Sequence, residues 1–248
     1  MKILCIGNSF SHDACKYLHD MAKAGGEDVK TVNLFIGGCS LQRHYNNILT
    51  DEAAYDYELN GAEGSKKISI KDALLSDDWD VVTTQQASPE SGQYDTYYPY
   101  LTTVLETVHK YSNPKQIYLH ETWAYEIDSS HSEFVRYDCD QQKMYEGIVN
   151  AYHKAAEKEH LPLIKSGEMV QYVRSLPEFD YKNGGQTLCR DGYHMHLVFG
   201  RYLVAAVWYE TVLHKNILEN DFLPENVTED DKKLIDIIKH AVHEQLNK

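Results

Sequence analysis

Short apolar runs that end abruptly in glycine or polar residues alternate along this chain with longer stretches of helical periodicity. The first run, residues 2–6, reads Lys-Ile-Leu-Cys-Ile and stops at Gly7-Asn8-Ser9, the pattern of a strand buried on both faces of a parallel sheet. Helical character follows over about 12–24 and is ended by Gly25-Gly26. A second strand is predicted over 29–36, again closed by glycines, Gly37-Gly38. A third over 79–84 runs into Gln85-Gln86-Ala87-Ser88-Pro89, a fourth covers 116–121, and a short fifth covers 161–166. Helices are predicted over roughly 97–111, 141–160, 197–213 and 229–246, the last opened by Thr228 as N-cap. Strands alternating with helices imply βαβ units, a parallel sheet and helices on both of its faces. No repeat, low-complexity tract or linker interrupts the pattern, so one domain over 1–248 is expected, with a small hairpin excursion around 55–70.

Composition narrows the partners rather than the fold. The 248 residues are 42 % hydrophobic and 25 % charged, which places the chain among ordinary globular proteins and excludes the disordered class. With 38 acidic against 24 basic residues the net charge is −14, so phosphate backbones and anionic lipid surfaces are repelled. Neither nucleic acid nor membrane is expected as a partner; a small neutral or cationic molecule is. Cys5, Cys15, Cys39, Cys139 and Cys189 form no CxxC pair and are odd in number, which fits reduced thiols and a cytoplasmic protein. No signal-peptide pattern follows Met1-Lys2, although a trimmed secreted chain would read the same way. The most apolar stretch, 196–213, carries Arg201 and Glu210 and reads as a buried helix rather than a membrane span.

Chemistry concentrates where the strands end. In a doubly wound sheet, ligands bind outside the carboxyl ends of the strands. Gly7-Asn8-Ser9, Gly37-Gly38-Cys39 and Gln85-Gln86-Ala87 all fall there, and Asp191-Gly192-Tyr193-His194 lies just before a helix. Acyl transfer needs a serine, a base held by a carboxylate, and donors aimed at the developing oxyanion. Ser9 opens a helix after a buried strand and is the candidate nucleophile. Asp191, three residues before His194, can orient one ring nitrogen while the other faces the serine. Gly38 allows a backbone N–H to approach substrate closely, and Gln85 or Gln86 supplies a side-chain amide. His44, Trp123 and Tyr125 follow strand ends and are candidate substrate-lining residues; Glu121 is a further polar candidate. A metal reading of Asp191, His194 and His196 lacks another ligand motif, and no phosphate-binding glycine loop is present. No metal or organic cofactor is expected.

Gly7-Asn8-Ser9-Phe10-Ser11 resembles the first conserved block of the SGNH (GDSL-like) hydrolases, in which the nucleophile follows the first strand. Gly37-Gly38 is similar to the second block, whose glycine gives an oxyanion N–H, and Asp191-Gly192-Tyr193-His194 to the last, which holds carboxylate and base together. With Trp79-Asp80-Val81-Val82, the chain looks closest to a bacterial branch marked by Gly-Asn-Ser-Phe and Trp-Asp-x-Val. The resemblance spans roughly residues 3–200. It implies a flavodoxin-like three-layer α/β/α sandwich and a serine esterase or deacylase. The implied triad is Ser9, His194 and Asp191, with an oxyanion hole from Ser9, Gly38 and Gln85 or Gln86. Its implied substrate is a short acyl ester, acetyl above all, on a carbohydrate. Two departures stand out: Asn8 replaces the usual Asp, and Gln85-Gln86 occupies the place of a Gly-x-Asn-Asp block. The rival readings are a catalytically inactive ligand-binding protein on the same fold and a flavin- or nucleotide-binding flavodoxin-like protein.

Overall fold

The computed structural model describes residues 1–64 and 66–248. Its centre is a sheet built from β1 (Lys2–Ile6), β2 (Lys30–Phe35), β3 (Tyr55–Leu59), β4 (Lys67–Ile68), β5 (Val81–Thr84), β6 (Gln116–His120) and β7 (Leu163–Ile164). The spatial order is β4-β3-β2-β1-β5-β6-β7. From β2 to β7 the pairings are parallel, whereas β3 runs antiparallel to both β2 and β4. The segment expected as a hairpin excursion is therefore an extension of the sheet, with Tyr55 opposite Ile68 and Asn33 of β2 opposite Glu58. Ile3, Leu4, Cys5 and Ile6 are wholly buried, as a strand flanked by β2 and β5 and covered on both faces must be.

The helices are α1 (Ser9–Cys15), α2 (Leu18–Ala24), α3 (Leu41–Thr50), α4 (Ile70–Leu75), α5 (Tyr100–Tyr111), α6 (Gln141–Glu159), α7 (Ser166–Arg174), α8 (Phe199–Leu213) and α9 (Glu229–Leu246). The result is a three-layer α/β/α sandwich. In it α1, α2, α7 and α9 pack around α8, and α3, α4 and α5 pack together. Most starts have a chemical cause: side chains of Asn8, Ser40, Ser69, Asp140 and Thr228 accept backbone N–H groups that a first turn leaves unpaired.

Three sequence expectations need amendment. The helix read over 12–24 begins at Ser9, because Asn8 caps it, and breaks at Lys16-Tyr17 into α1 and α2. The strand read over 161–166 is only Leu163–Ile164, and Ser166 already opens α7. Helices α3, α4 and α7 were not expected at all.

Helix α8 is apolar all round, and twelve of its fifteen residues are buried, as such a helix requires. Gly200 lets it approach the preceding loop: a Cβ there would lie 2.4 Å from the Leu188 carbonyl oxygen. Among the described residues no helix is long and apolar enough to cross a membrane.

Candidate active site

Ser9 stands at the carboxyl end of β1 as the first residue of α1, partly exposed. Asn8 fixes it there. The Asn8 Oδ1 accepts the Phe10 N–H at 2.9 Å, and the Asn8 N–H is given to Ser11 Oγ at 3.0 Å. As the first helical residue, Ser9 has a backbone N–H with no intrahelical acceptor. Asn8 Nδ2 donates to the Cys39 carbonyl at 3.0 Å, so the turn after β2 is held to the residue that caps α1. In that turn Gly38 has φ +62°, exposed, with open space where a Cβ would sit. That backbone conformation strains other residues and suits glycine.

The Asp191–His194 segment is a closed loop. Arg190 N–H bonds the His194 carbonyl at 2.9 Å, and Cys189 bridges Met195. Gly192 turns its tip at φ +88°, lying so close to Ser129 that a Cβ would meet Ser129 Cα at 2.9 Å. Asp191 divides its labour between two oxygens. Oδ1 accepts the backbone N–H groups of Tyr193 (3.2 Å) and His194 (2.8 Å), while Oδ2 takes the His194 ring at Nδ1, 2.7 Å away. With Nδ1–H committed to the carboxylate, Nε2 is left as the basic atom. Burial pushes the Asp191 carboxyl up, but hydrogen bonds from the His194 ring and backbone outweigh it and hold it below the usual range. Ser9 and His194 line one cavity of about 370 Å³ together with His12, Phe35, Asp56, Glu58, Glu63, Gly64 and Arg190.

What brings helix α1 and that loop together is a residue not singled out in the sequence. Asp13, four residues after Ser9, is wholly buried. Its carboxylate accepts from Arg190 Nη1 at 3.0 Å on both oxygens, from Arg201 Nε at 2.8 Å and from Met195 N–H at 2.9 Å. A buried carboxylate is tolerated when opposite charges and N–H donors surround it like this. The available signal was Arg201 in the mostly apolar α8, which needs a buried acid. An aromatic brace adds to the tether: Phe10 stacks on Trp123 at 4.3 Å between centroids, and Trp123 Nε1 donates to the Tyr193 carbonyl at 2.8 Å.

Several expected site residues are placed elsewhere. Gln86 is fully buried, its Nε2 donating to Thr96 and its Oε1 accepting from the N–H groups of Leu41 and Ala87. It staples the start of α3 and has no donor left for an oxyanion. Gln85 is also buried, in a relay across the ends of four strands. Ser166 Oγ lies 3.1 Å from His120 Nε2, His120 Nδ1 lies 2.6 Å from Gln85 Oε1, and Gln85 Nε2 donates to Asn8 Oδ1 at 2.7 Å. Burial lowers His120 to about 3, so the ring is neutral and the donors can all point one way, from Ser166 to Asn8 and on to Cys39. Gln85 supports the cap rather than opening onto the cavity. His44, Trp123 and Tyr125 are wholly buried and do not line the cavity. His44 bonds Tyr55 at 2.9 Å, and Tyr125 bonds Ser88 at 2.9 Å, both as parts of the protein interior. The cavity wall instead includes Asp56, Glu58 and Glu63 from the β3–β4 region. There Glu58 meets His12 Nδ1 at 3.0 Å, and Asp56 pairs with Lys67 at 2.9 Å.

A serine after the first strand, a glycine turn after the second and an Asp-x-x-His loop before a late buried helix stand on this sandwich in the order that the resemblance to the SGNH-like hydrolases implies. The chain belongs to the family described as domain of unknown function DUF4886, whose profile matches residues 2–245. It is similar to the crystal structure of a DUF4886 family protein from Bacteroides uniformis, with 37 % identity and a TM-score of 0.89 over 100 % of this chain and 96 % of that one. More distant likeness, in fold alone, extends to a putative SGNH hydrolase from Slackia heliotrinireducens (21 % identity, TM-score 0.55, 86 % and 98 % covered). An acetylxylan esterase from Geobacillus stearothermophilus is also similar (12 % identity, TM-score 0.55, 84 % and 92 % covered). A search of proteins with curated functions finds no match.

Proposed function

We propose that the chain is a serine hydrolase of ester bonds, with Ser9 as nucleophile, His194 as general base and Asp191 as the group that orients it. The observation that carries the reading is the 2.7 Å Asp191–His194 pair opening onto the same cavity as Ser9. His194 Nε2 takes the Ser9 proton as Oγ attacks the ester carbonyl, then returns it to the departing alcohol; water repeats the cycle on the acyl-enzyme. The backbone N–H groups of Ser9 and Gly38 stabilise the oxyanion, and Gln85 acts through Asn8 to keep both in place. The favoured substrate is a short acyl ester, acetyl above all, of a small polyhydroxylated alcohol such as a sugar. A cavity of about 370 Å³ whose wall carries three carboxylates offers such an alcohol hydrogen-bond acceptors, and Phe35 adds an apolar face. The acetylxylan esterase of like fold is the analogy behind the acetyl group.

The test compares hydrolysis of p-nitrophenyl acetate and butyrate by wild type and Ser9→Ala. The expected loss in kcat is at least about 10³-fold, with acetate preferred over butyrate. Equal turnover by the two proteins, or failure of a fluorophosphonate probe to label Ser9, would sink the reading.

A further inference from the structure

Away from the cavity, a second group of chemistry-bearing side chains meets where the end of β6 passes α6 and the first turn of α7. Glu121, His153 and Glu168 each offer one ligand atom there, and these atoms all lie within 4.8 Å of one another. We propose that they form a binding site for a divalent transition cation, zinc being the best match to the donors.

The argument starts from Glu121. Its side chain is wholly buried. Oε1 accepts the Glu168 backbone N–H at 2.7 Å, but Oε2 has no hydrogen-bond partner and points toward His153, whose Nε2 is 3.9 Å away. Ionised, this carboxyl places a bare charge in the interior; protonated, it leaves an O–H without an acceptor. Either state is costly. A cation between Oε2, His153 Nε2 and Glu168 Oε1 removes the cost in one step. His153 Nε2 and Glu168 Oε1 are already 2.7 Å apart, so the bond between them is exchanged for two bonds to the metal.

One imidazole and two carboxylates suit zinc, which takes such ligands at about 2.0–2.2 Å with solvent completing the shell. Calcium and magnesium prefer oxygen alone. The surroundings are shaped for the contact. Gly167 brings α7 so close to the strand end that a Cβ would sit 2.0 Å from the Thr122 carbonyl and 2.9 Å from Glu121 Oε1. Only a residue without a side chain lets Glu168 ride above Glu121. Lys165 Nζ, 3.3 Å from Glu168 Oε1 and half-exposed on a flexible stem, is the charge that a metal would displace. Because Glu121 adjoins His120, a bound ion would also stiffen the relay that ends on Asn8. The proposal does not depend on Ser9 being a nucleophile.

The experiment is calorimetric titration of ZnCl2 into the chelator-treated full chain, with Glu121→Gln and His153→Ala beside it and thermal melts with and without the metal. The wild type should bind one equivalent that each substitution weakens by more than 10-fold, and zinc should raise the wild-type melting temperature but neither variant's. His153 is exposed enough for its alanine variant to fold even if Glu121→Gln does not. No binding by the wild type, or binding that both variants retain, overturns the proposal.

Discussion

Replacing Asp13 by Asn tests the claim that one buried carboxylate joins the helix that carries Ser9 to the loop that carries His194. The change keeps the shape of the side chain but removes its charge and leaves an amide where two guanidinium groups expect an anion. Arg201 is 12 % exposed and cannot recover its hydration, whereas Arg190 at 28 % recovers part. Breaking a buried ion pair from one side costs about 3–5 kcal/mol, and the partial exposure of Arg190 favours the lower half of that range. For a chain of this size each kcal/mol moves the melting temperature by about 2–4 °C, so a drop of roughly 6–16 °C is expected. Activity should fall more than stability explains. At a temperature where the variant is fully folded, the Arg190–Met195 segment has lost its tether, and a misplacement of about 1 Å at His194 costs on the order of 10²-fold in kcat. Scanning calorimetry and ester hydrolysis on the same sample measure both. A melting temperature within about 2 °C of wild type, or full activity in the folded variant, refutes the reasoning.

Two further outcomes follow from buried polar groups. His44 is lowered to about 3 by burial, with the Arg43 charge adding to it. The unfolded chain therefore takes up a proton below about pH 6.5 that the folded chain refuses until about 3. Stability falls across that window as pH drops, by up to about 1.4 kcal/mol per pH unit. His44→Phe should flatten this acid limb by one proton's worth in urea titrations at pH 7, 6, 5 and 4; a limb parallel to wild type counts against it. Gln85→Met removes the link between His120 and Asn8 and leaves a buried imidazole N–H unpaired. It should cost about 1–3 kcal/mol in urea denaturation, and in ester hydrolysis lower kcat with little change in KM. An unchanged kcat would show that the relay does not position the site.

The parts of the fold that could be read from the sequence are those where burial and hydrophobicity coincide. Strand β1 and the buried faces of helices α8 and α9 are apolar, and Thr228 caps α9 as its sequence position suggests. Helix α3 escaped notice because its buried face is Leu41, His44 and Asn47: the helical spacing is present, but two of the three residues are polar. The same confusion affected the site. Polar residues after strand ends suggested contact with substrate, yet His44, Gln86, Trp123 and Tyr125 bond other interior side chains and the backbone. The Asn8 cap beside Ser9 and the Asp191–His194 turn could be read from the sequence because each is a local feature: a cap at the start of α1, and a three-residue spacing for the Asp–His pair. Asp13, Arg190 and the β3–β4 wall depend on contacts between distant segments, and no local pattern announces those.

The tether at Asp13 also orders events in time. During synthesis the ribosome delivers Ser9 and Asp13 almost at once, and most of the sheet can form long before Arg190, His194 and Arg201 exist. Until they emerge, Asp13 has neither of its guanidinium partners and cannot be buried without great cost. Helix α1 must therefore wait, hydrated and incompletely packed, for the last quarter of the chain. A nascent or truncated protein then carries Ser9 without His194, and the final docking of α8 completes the core and brings the two together.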